Sequence, residues 1–455
     1  MNSVDVFAVV EAQLSTSGIR PLELAHDFGF DVVFVTNDPH RYDNIGTYKE
    51  TIAKHVSNVI VGDTNSIAGI LDALGHISGN GRLRAVYTHC DYNLPLVAEA
   101  AAKLGLPGVS PRAAGLARDK LGTRQACAAA GVPAPGFVHA TTETEAIAAT
   151  RELGFPCVVK PMTESASTGV SLAFTEEQVG FYFRAIAADS HDARGQLRRP
   201  GALIEEYALG YEVSVETATF DGETVLLGVT DKMLGGAPYF AEIGDTFPSA
   251  LPEEATSALA RTALDGLAAI GFDFGAAHTE VKMTADGPKV VEINARIGGA
   301  EIAVLVERAL GFSYLEQILR MHFGERPELT PVRRHAAASR YLMAREPGTV
   351  RAVHGTDLAQ QIGGVTEVEV KVGEGAEIIL PTSNHELLGH VVATAPTPAE
   401  AGRRADAALA QIYVETTTAG WTPFGAPSRS CTPFSFSSQG SEVNTCRSHG
   451  TASTK

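Results

Sequence analysis

The sequence predicts a mixed α/β and α+β chain: an N-terminal Rossmann-like parallel sheet, a strand-rich central region, and a small C-terminal α+β unit. Three observations carry this. Over the first hundred residues short apolar runs alternate with helical patterns, the rhythm of parallel strands joined by crossover helices. From Phe155 onward the pattern turns strand-rich. Two later segments, His278 to Lys282 and Val290 to Gly299, read as strands that carry one carboxylate each, the second with polar residues at alternate positions.

In order, Val4 to Val10, Val32 to Thr36, Val56 to Val61 and Ala85 to Thr88 read as buried strands, with helices at Pro21 to Phe28, Ile67 to Leu74 and Leu94 to Leu104. No G-x-G-x-x-G follows the first strand, so a dinucleotide fingerprint is absent. Gly105-Leu106-Pro107-Gly108 closes this unit, and one helical run from Ala113 to Ala130 carries Lys120. Strands follow at Cys157 to Lys160, Gly169 to Phe174, Leu203 to Tyr207, Glu212 to Phe220 and Thr224 to Thr230, with a helix at Glu176 to Ala188. The polar stretch Asp189 to Pro200 reads as a mobile loop. Helices are expected at Glu253 to Ile270 and Ala303 to Met321, then strands at Thr366 to Val372 and Leu387 to Ala395 and a helix at Pro398 to Ile412. The expected units are 1–115, 116–325 and 326–420. Pro427 to Lys455, rich in Ser, Thr and Gly, lacks the apolar surface to offset its ordering entropy and reads as the core of a disordered tail, 421–455.

Composition excludes some classes of function. With 36 Lys+Arg against 53 Asp+Glu, the formal charge of −17 disfavours DNA or RNA as a partner, since their backbones are bound by clustered cations. The five cysteines show neither metal spacing nor an even framework, as in a reduced cytosolic protein. Neither a basic leader nor an apolar run of membrane-spanning length is present, so a cytoplasmic protein with no membrane partner is expected.

The chemistry begins with the acidic strands. Alternation puts Glu292, Asn294 and Arg296 on one face, and with Glu280 they supply the carboxylates and amide that Mg²⁺ takes alongside substrate phosphates. The planar fork of Arg296 suits phosphate oxygens. The plainer alternative is a solvated hairpin face. Lys160 ends an apolar strand and Lys120 lies on a helix; either is a phosphate ligand or a solvated lysine. Between Lys160 and the next strand, the small hydroxyl-rich loop Thr163 to Val170, with Ser165, Ser167 and Thr168, can fold its backbone N–H groups over phosphates. Glu205, Glu206 and Tyr207 end a strand that could face a purine edge, and Glu212 could accept ribose hydroxyls. His278 reads as a packed strand residue rather than a base.

Taken in order, these pieces resemble the ATP-grasp superfamily, and within it the carboxylate–amine ligases related to bacterial L-amino-acid ligases. The resemblance spans about residues 1 to 415 and rests on Arg118-Asp119-Lys120, Val159-Lys160-Pro161, Glu205-Glu206-Tyr207, Glu212, His278-Thr279-Glu280 and Glu292-Ile293-Asn294-Ala295-Arg296. It implies an ATP-grasp fold, with a lid subdomain at about 134–204 inside the 116–325 unit, using ATP and Mg²⁺, with Mn²⁺ as a substitute. Lys120 and Lys160 would contact ATP phosphates, Glu205 to Tyr207 form the adenine hinge, and Glu212 take the ribose. Glu280, Glu292 and Asn294 would hold magnesium, and Arg296 steady the transferring phosphate.

The reaction implied is amide or peptide bond formation between a small-molecule carboxylate and an amine through an acyl phosphate, with the Thr163 to Val170 loop as lid; a homodimer is compatible with this. Pro238 to Pro248 resembles the acceptor-pocket segment of amino-acid ligases, where Glu242 would hold an ammonium group or a further metal contact, and Gly298 and Gly299 form a turn beside the substrate. Two alternatives stay open: a biotin- or purine-type carboxylase, and a non-catalytic nucleotide-binding protein. Biotin carboxylases carry a glutamate four residues beyond the equivalent arginine, where this chain has Ala300, with Glu301 next to it.

Overall fold

A computed structural model of the chain describes residues 5–43, 45–75, 77 and 82–417. The expected tail, with Cys431 and Cys446, lies outside the described residues.

The N-terminal unit runs β1 (Asp5–Val10), α1 (Thr16–Asp27), β2 (Asp31–Thr36), α2 (Tyr48–His55), β3 (Asn58–Val61), α3 (Ile67–Gly75), β4 (Arg82–Tyr87) and α4 (Leu94–Leu104). Its strands pair in parallel in the order β3-β2-β1-β4. This is the sheet that the alternating pattern predicts. A parallel sheet covered by helices on both faces must be apolar throughout, and β1 and β2 are buried at five of their six positions.

Two helices, α5 (Pro111–Arg118) and α6 (Lys120–Ala130), replace the single run expected from Ala113 to Ala130. Asp119 leaves helical geometry at φ −94° and ψ 103°, and its side chain accepts from Leu121 N–H, so the chain is re-capped one residue before Lys120. The lid subdomain follows with β5 (Phe137–Ala140), α7 (Glu143–Leu153), β6 (Cys157–Lys160), β7 (Ser171–Ala173), α8 (Glu176–Ala187) and β8 (Ala202–Glu206), in sheet order β5-β8-β6-β7.

The remaining chain forms β9 (Gly210–Phe220), β10 (Glu223–Leu234), β11 (Glu242–Phe247), α9 (Glu253–Ile270), β12 (Gly275–Thr284), β13 (Gly287–Asn294), α10 (Ile302–Leu310) and α11 (Tyr314–His322). It ends with β14 (Ala336–Leu342), β15 (Gly348–His354), α12 (Thr356–Gln360), β16 (Val365–Val370), β17 (Glu377–Ile378), β18 (Gly389–Ala395), α13 (Pro398–Leu409) and β19 (Tyr413–Thr417). One helix was expected from Ala303 to Met321; two form, because Gly311 adopts φ +86° as a C-cap and Ser313 caps the next helix through Glu316 N–H. A single sheet of eight strands, β13-β12-β9-β10-β11-β14-β18-β16, crosses the expected unit boundary near residue 325. The junction is the antiparallel pair β11 and β14.

The segment expected to be a mobile loop, Asp189 to Pro200, is instead anchored. A bridge between His191 and Leu197 closes it, and Arg194, 6% exposed, reaches into the N-terminal unit. There its guanidinium donates to the Ala12 carbonyl at 2.7 Å and to Glu11 at 3.3 Å. The lid subdomain is thereby tied to the loop after β1. No helix among the described residues is long and apolar enough to cross a membrane.

Candidate active site

A cavity of about 340 Å³ lies where the N-terminal unit, the lid subdomain, the eight-stranded sheet and the C-terminal segments meet. Lys120, Lys160, Ser165, Ser167, Thr168, Glu205, Glu206, Tyr207, Glu212, Glu242, Glu280, Glu292, Asn294, Arg296 and Gly299 line it. Gly298 stands behind the wall: a Cβ there would meet Ile302 at 2.7 Å and His278 Nδ1 at 2.8 Å, so packing demands glycine.

Both lysines are buried, at 5% and 3% exposure, which removes the solvated alternative. Lys120 opens α6, and its ammonium donates to the Glu164 carbonyl at 2.7 Å and to Glu292 Oε1 at 3.0 Å. The Lys160 ammonium, at the end of β6, lies 2.7 Å from Glu205 Oε2. Arg124 donates to the same oxygen at 3.1 Å and to the Val291 carbonyl at 2.7 Å. Burial lowers Lys160 to about 8, the attraction of Glu205 offsetting part of the cost. Burial pushes the Glu205 carboxyl up, but Arg124 and Lys160 outweigh it and hold it below the ordinary value.

Glu205 therefore faces inward and braces Lys160. Glu206 pairs with Lys289 at 2.8 Å and accepts from Gly136 N–H at 3.1 Å. With both carboxylates engaged, this strand end offers a purine its backbone and the Tyr207 ring, over which Lys282 Nζ stands 4.9 Å from the centroid. At the start of β9, Glu212 is raised to about 7 by burial and by Glu280, against the pull of Lys232 and Lys282.

The antiparallel register of β12 and β13 sets Glu280 opposite Glu292 and His278 opposite Asn294. Directly opposed residues in such a ladder have adjacent side chains, so the carboxylates of the two acidic strands come together. His278 is the packed residue expected: its Nδ1 sits 3.0 Å from the buried Glu216 and its Nε2 3.5 Å from Glu280. Burial lowers the imidazole, but Glu216 overrides this and raises it to about 10. Lys232 adds a second cation, 2.9 Å from Glu280 and 2.6 Å from Glu242. Partial burial pushes the Glu280 carboxyl, 17% exposed, upward, but Lys232 and His278 outweigh it and hold it well below the ordinary carboxylate range. Glu280, Glu292 and Asn294 offer oxygen donors only, which fits Mg²⁺.

Arg296 is forked onto Asp91, which follows β4 of the N-terminal unit, and it also donates to the Ile297 carbonyl at 2.7 Å. Asp91 accepts in turn from Ser165 Oγ at 2.5 Å, so the arginine, the N-terminal unit and the lid loop share one hydrogen-bonded chain. The loop is further held by Tyr92 and Arg198 on Glu164, at 2.8 and 2.7 Å, by Ser167 on the Phe240 carbonyl, and by Asn384 N–H on the Ala166 carbonyl. Ala166, Ser167 and Gly169 lie at φ 57°, 59° and 70°, a tight run that turns the backbone over the cavity. Among the described residues the Thr168 hydroxyl has no hydrogen-bond partner, as suits a group facing phosphate.

Sequence reasoning missed Asp91, Arg124, Glu164, Lys232 and His390. Each works through partners far away in the chain, and no local spacing marks it. Only Asp91 carried a faint sign, as an acidic residue just beyond a strand of a parallel sheet.

Comparison with known proteins bears on the family and fold that carry these residues. Residues 22–108 match the ATP-grasp N-terminal domain, 153–304 the ATP-grasp domain, and 340–417 the L-amino acid ligase C-terminal domain 2. The phosphoribosylamine–glycine ligase of Leifsonia xyli is 30% identical over 351 residues, covering 70% of this chain and 80% of that protein. Carnosine synthase 1 of Gallus gallus is 28% identical over 354 residues, 74% of this chain; the match spans 37% of that longer enzyme. The crystal structure of an L-amino acid ligase from Bacillus licheniformis superposes with a TM-score of 0.76 at 21% identity, covering 92% of this chain and all of that one.

Proposed function

The chain belongs to the ATP-grasp superfamily, and on that premise we propose that it is an ATP-dependent carboxylate–amine ligase that joins amino acids, releasing ADP and phosphate. One observation carries the reading: Glu280 and Glu292 oppose each other beneath a lid loop, with Lys120 joining Glu292 to that loop. The resemblance to amino-acid ligases runs through the C-terminal segments, which supports amino acids as substrates. Neither a carboxylase nor a non-catalytic binder is favoured by the relatives, and a degenerate binder has no need of the buried lysines and paired carboxylates together.

Two anions must meet for the first step, so the chain's task is positioning and charge neutralisation. Lys120 and Lys160 take the ATP phosphates, and Arg296 exchanges its fork on Asp91 for the transferring phosphoryl group. Glu280, Glu292 and Asn294 would hold Mg²⁺, which when bound would supply further charge neutralisation at the phosphates. The substrate carboxylate attacks the γ-phosphorus, giving an acyl phosphate and ADP, and the amine then displaces phosphate. Closure of the Thr163 to Val170 loop keeps water from the acyl phosphate.

Oxygen-18 in the substrate carboxylate tests the route. The label is expected in released phosphate, with ADP and amide in equal amounts; label in AMP, or formation of pyrophosphate, rules the route out. A second result follows from Lys160. Only its protonated form attracts phosphate, and in the free protein it loses that proton near pH 8. Affinity for MgADP, read by calorimetry, should therefore fall as pH rises above about 8, by up to about tenfold per pH unit. Lys160→Arg, charged throughout this range, should flatten the dependence.

A further inference from the structure

Beyond Arg296 the cavity continues to a wall that the C-terminal segments supply, and the carboxylates there are not equivalent. Glu242 and Glu280 share the Lys232 ammonium at 2.6 and 2.9 Å, and Asp245 accepts from the Tyr341 hydroxyl at 2.6 Å. Glu301 differs. It stands at the N-cap of α10 but makes no side-chain capping bond, so its carboxylate is not spent on the helix. It lines the cavity, and its ion pair with His390 Nδ1, at 3.5 Å, is longer than an ordinary hydrogen bond. The His390 imidazole is held on its far nitrogen by Glu367, 3.1 Å from Nε2, while Glu369, 3.3 Å from Nδ1, shares with Glu301 the nearer one.

Resting on the ligase reading above, we propose that Glu301 receives the ammonium group of the amine substrate and takes up the proton that it sheds, with His390 as its positioning residue. Glu242, which the resemblance offers for an ammonium group or a further metal contact, holds the Lys232 ammonium at 2.6 Å, closer than Glu280 does at 2.9 Å.

At Glu301 the geometry is the reverse. The turn Gly298-Gly299-Ala300, with Ala300 at φ +50°, brings Glu301 back to the cavity only five residues after Arg296. An amine docked there therefore lies on the same wall as the acyl-phosphate chemistry. The step balances: the ammonium gives one proton to the Glu301 carboxylate, the freed amine attacks the acyl carbon, and the carbon–oxygen bond to phosphate breaks. A second proton leaves the nitrogen with the departing phosphate.

Burial raises the Glu301 carboxyl, as do Glu367 and Glu369 on β16, against His390 on β18 and Lys371 just past β16. A carboxylate in that condition accepts a proton more readily than an exposed one.

The test separates the amine step from the first step. The full chain, wild type and Glu301→Gln, is given MgATP and the standard amino acids, with and without hydroxylamine, which is uncharged at neutral pH and captures acyl phosphates without needing a docking carboxylate. Glu301→Gln should lose dipeptide formation by at least about 10²-fold while making hydroxamate within about twofold of wild type. Glu301→Asp should restore part of the loss, through kcat/KM for the amine. Dipeptide formation by Glu301→Gln at the wild-type rate overturns the assignment, as does equal loss of hydroxamate and dipeptide. If wild type releases no ADP with any carboxylate, the ligase reading falls and this inference with it.

Discussion

Glu292→Ala should lower Mg²⁺-dependent ADP release by at least about 10²-fold while the protein stays folded. Two facts set the size and the asymmetry. Glu292 stands directly opposite Glu280 across the β12–β13 ladder, so its loss removes one of the two carboxylates in an all-oxygen donor set, and with it half of that set's anionic charge. It also frees Lys120, whose ammonium is held by Glu292 at 3.0 Å and by the Glu164 carbonyl at 2.7 Å, so a phosphate ligand loses its alignment in the same stroke. The protein stays folded but loses some stability, because the Glu292 side chain is 23% exposed while the buried Lys120 ammonium is left with the Glu164 carbonyl alone. Melting curves should shift down by less than those of Glu205→Ala, which strands two buried cations, and raising Mg²⁺ should recover only part of the rate. A variant that turns over ATP normally at ordinary Mg²⁺ removes the central assignment.

Glu205→Ala should act the other way, chiefly on stability. Its carboxylate is 4% exposed and is the shared counter-ion of Lys160 and Arg124, both buried. Removing one member of such a group strands the others without charge balance in a low-dielectric interior, at a cost of about 3–5 kcal/mol. Glu206→Ala, next along the strand, should cost less than about 1 kcal/mol, because Glu206 is 41% exposed and its pair with Lys289 is screened. Denaturant unfolding of the two variants, side by side, measures the contrast. The pH dependence has a definite sign. Glu205 ionises below the ordinary value of 4.5, so its stabilising effect is whole at neutral pH and is lost as acidity carries the pH below that value. Equal midpoints for the two variants would show that Glu205 is not the brace proposed here.

Much of this was legible because it depends on local periodicity. The helix Glu176–Ala187 and the strand Cys157–Lys160 fall where the pattern puts them, and alternation alone aligned Glu292 with Asn294. The misses share a cause. At Asp119 and at Gly311-Phe312-Ser313 the apolar period runs on through a break that capping chemistry makes, so a reading by periodicity fused two helices into one. The segment Asp189 to Pro200 looked loose because it is polar, yet its polar groups are used up by Asn65 and Glu11 of another unit. Lys232 and His390 were invisible for a related reason: a single lysine or histidine in a strand acquires its meaning from carboxylates on neighbouring strands, and strand order is not written in local spacing.

The ladder between β11 and β14 bears on how enzymes of this shape diversify. Asp245 pairs with Ser339 and Gly244 with Arg340, so the C-terminal segments are hydrogen-bonded into the same sheet that carries Glu280 and Glu292. Excising those segments would bare the edge of β11, a row of unsatisfied amides that templates aggregation. It would also strip His390 from Glu301. A chimera that grafts a foreign C-terminal segment must therefore reproduce a strand register before it can alter a preference. Point replacement along the cavity wall leaves that register untouched, and is the simpler route to an altered preference.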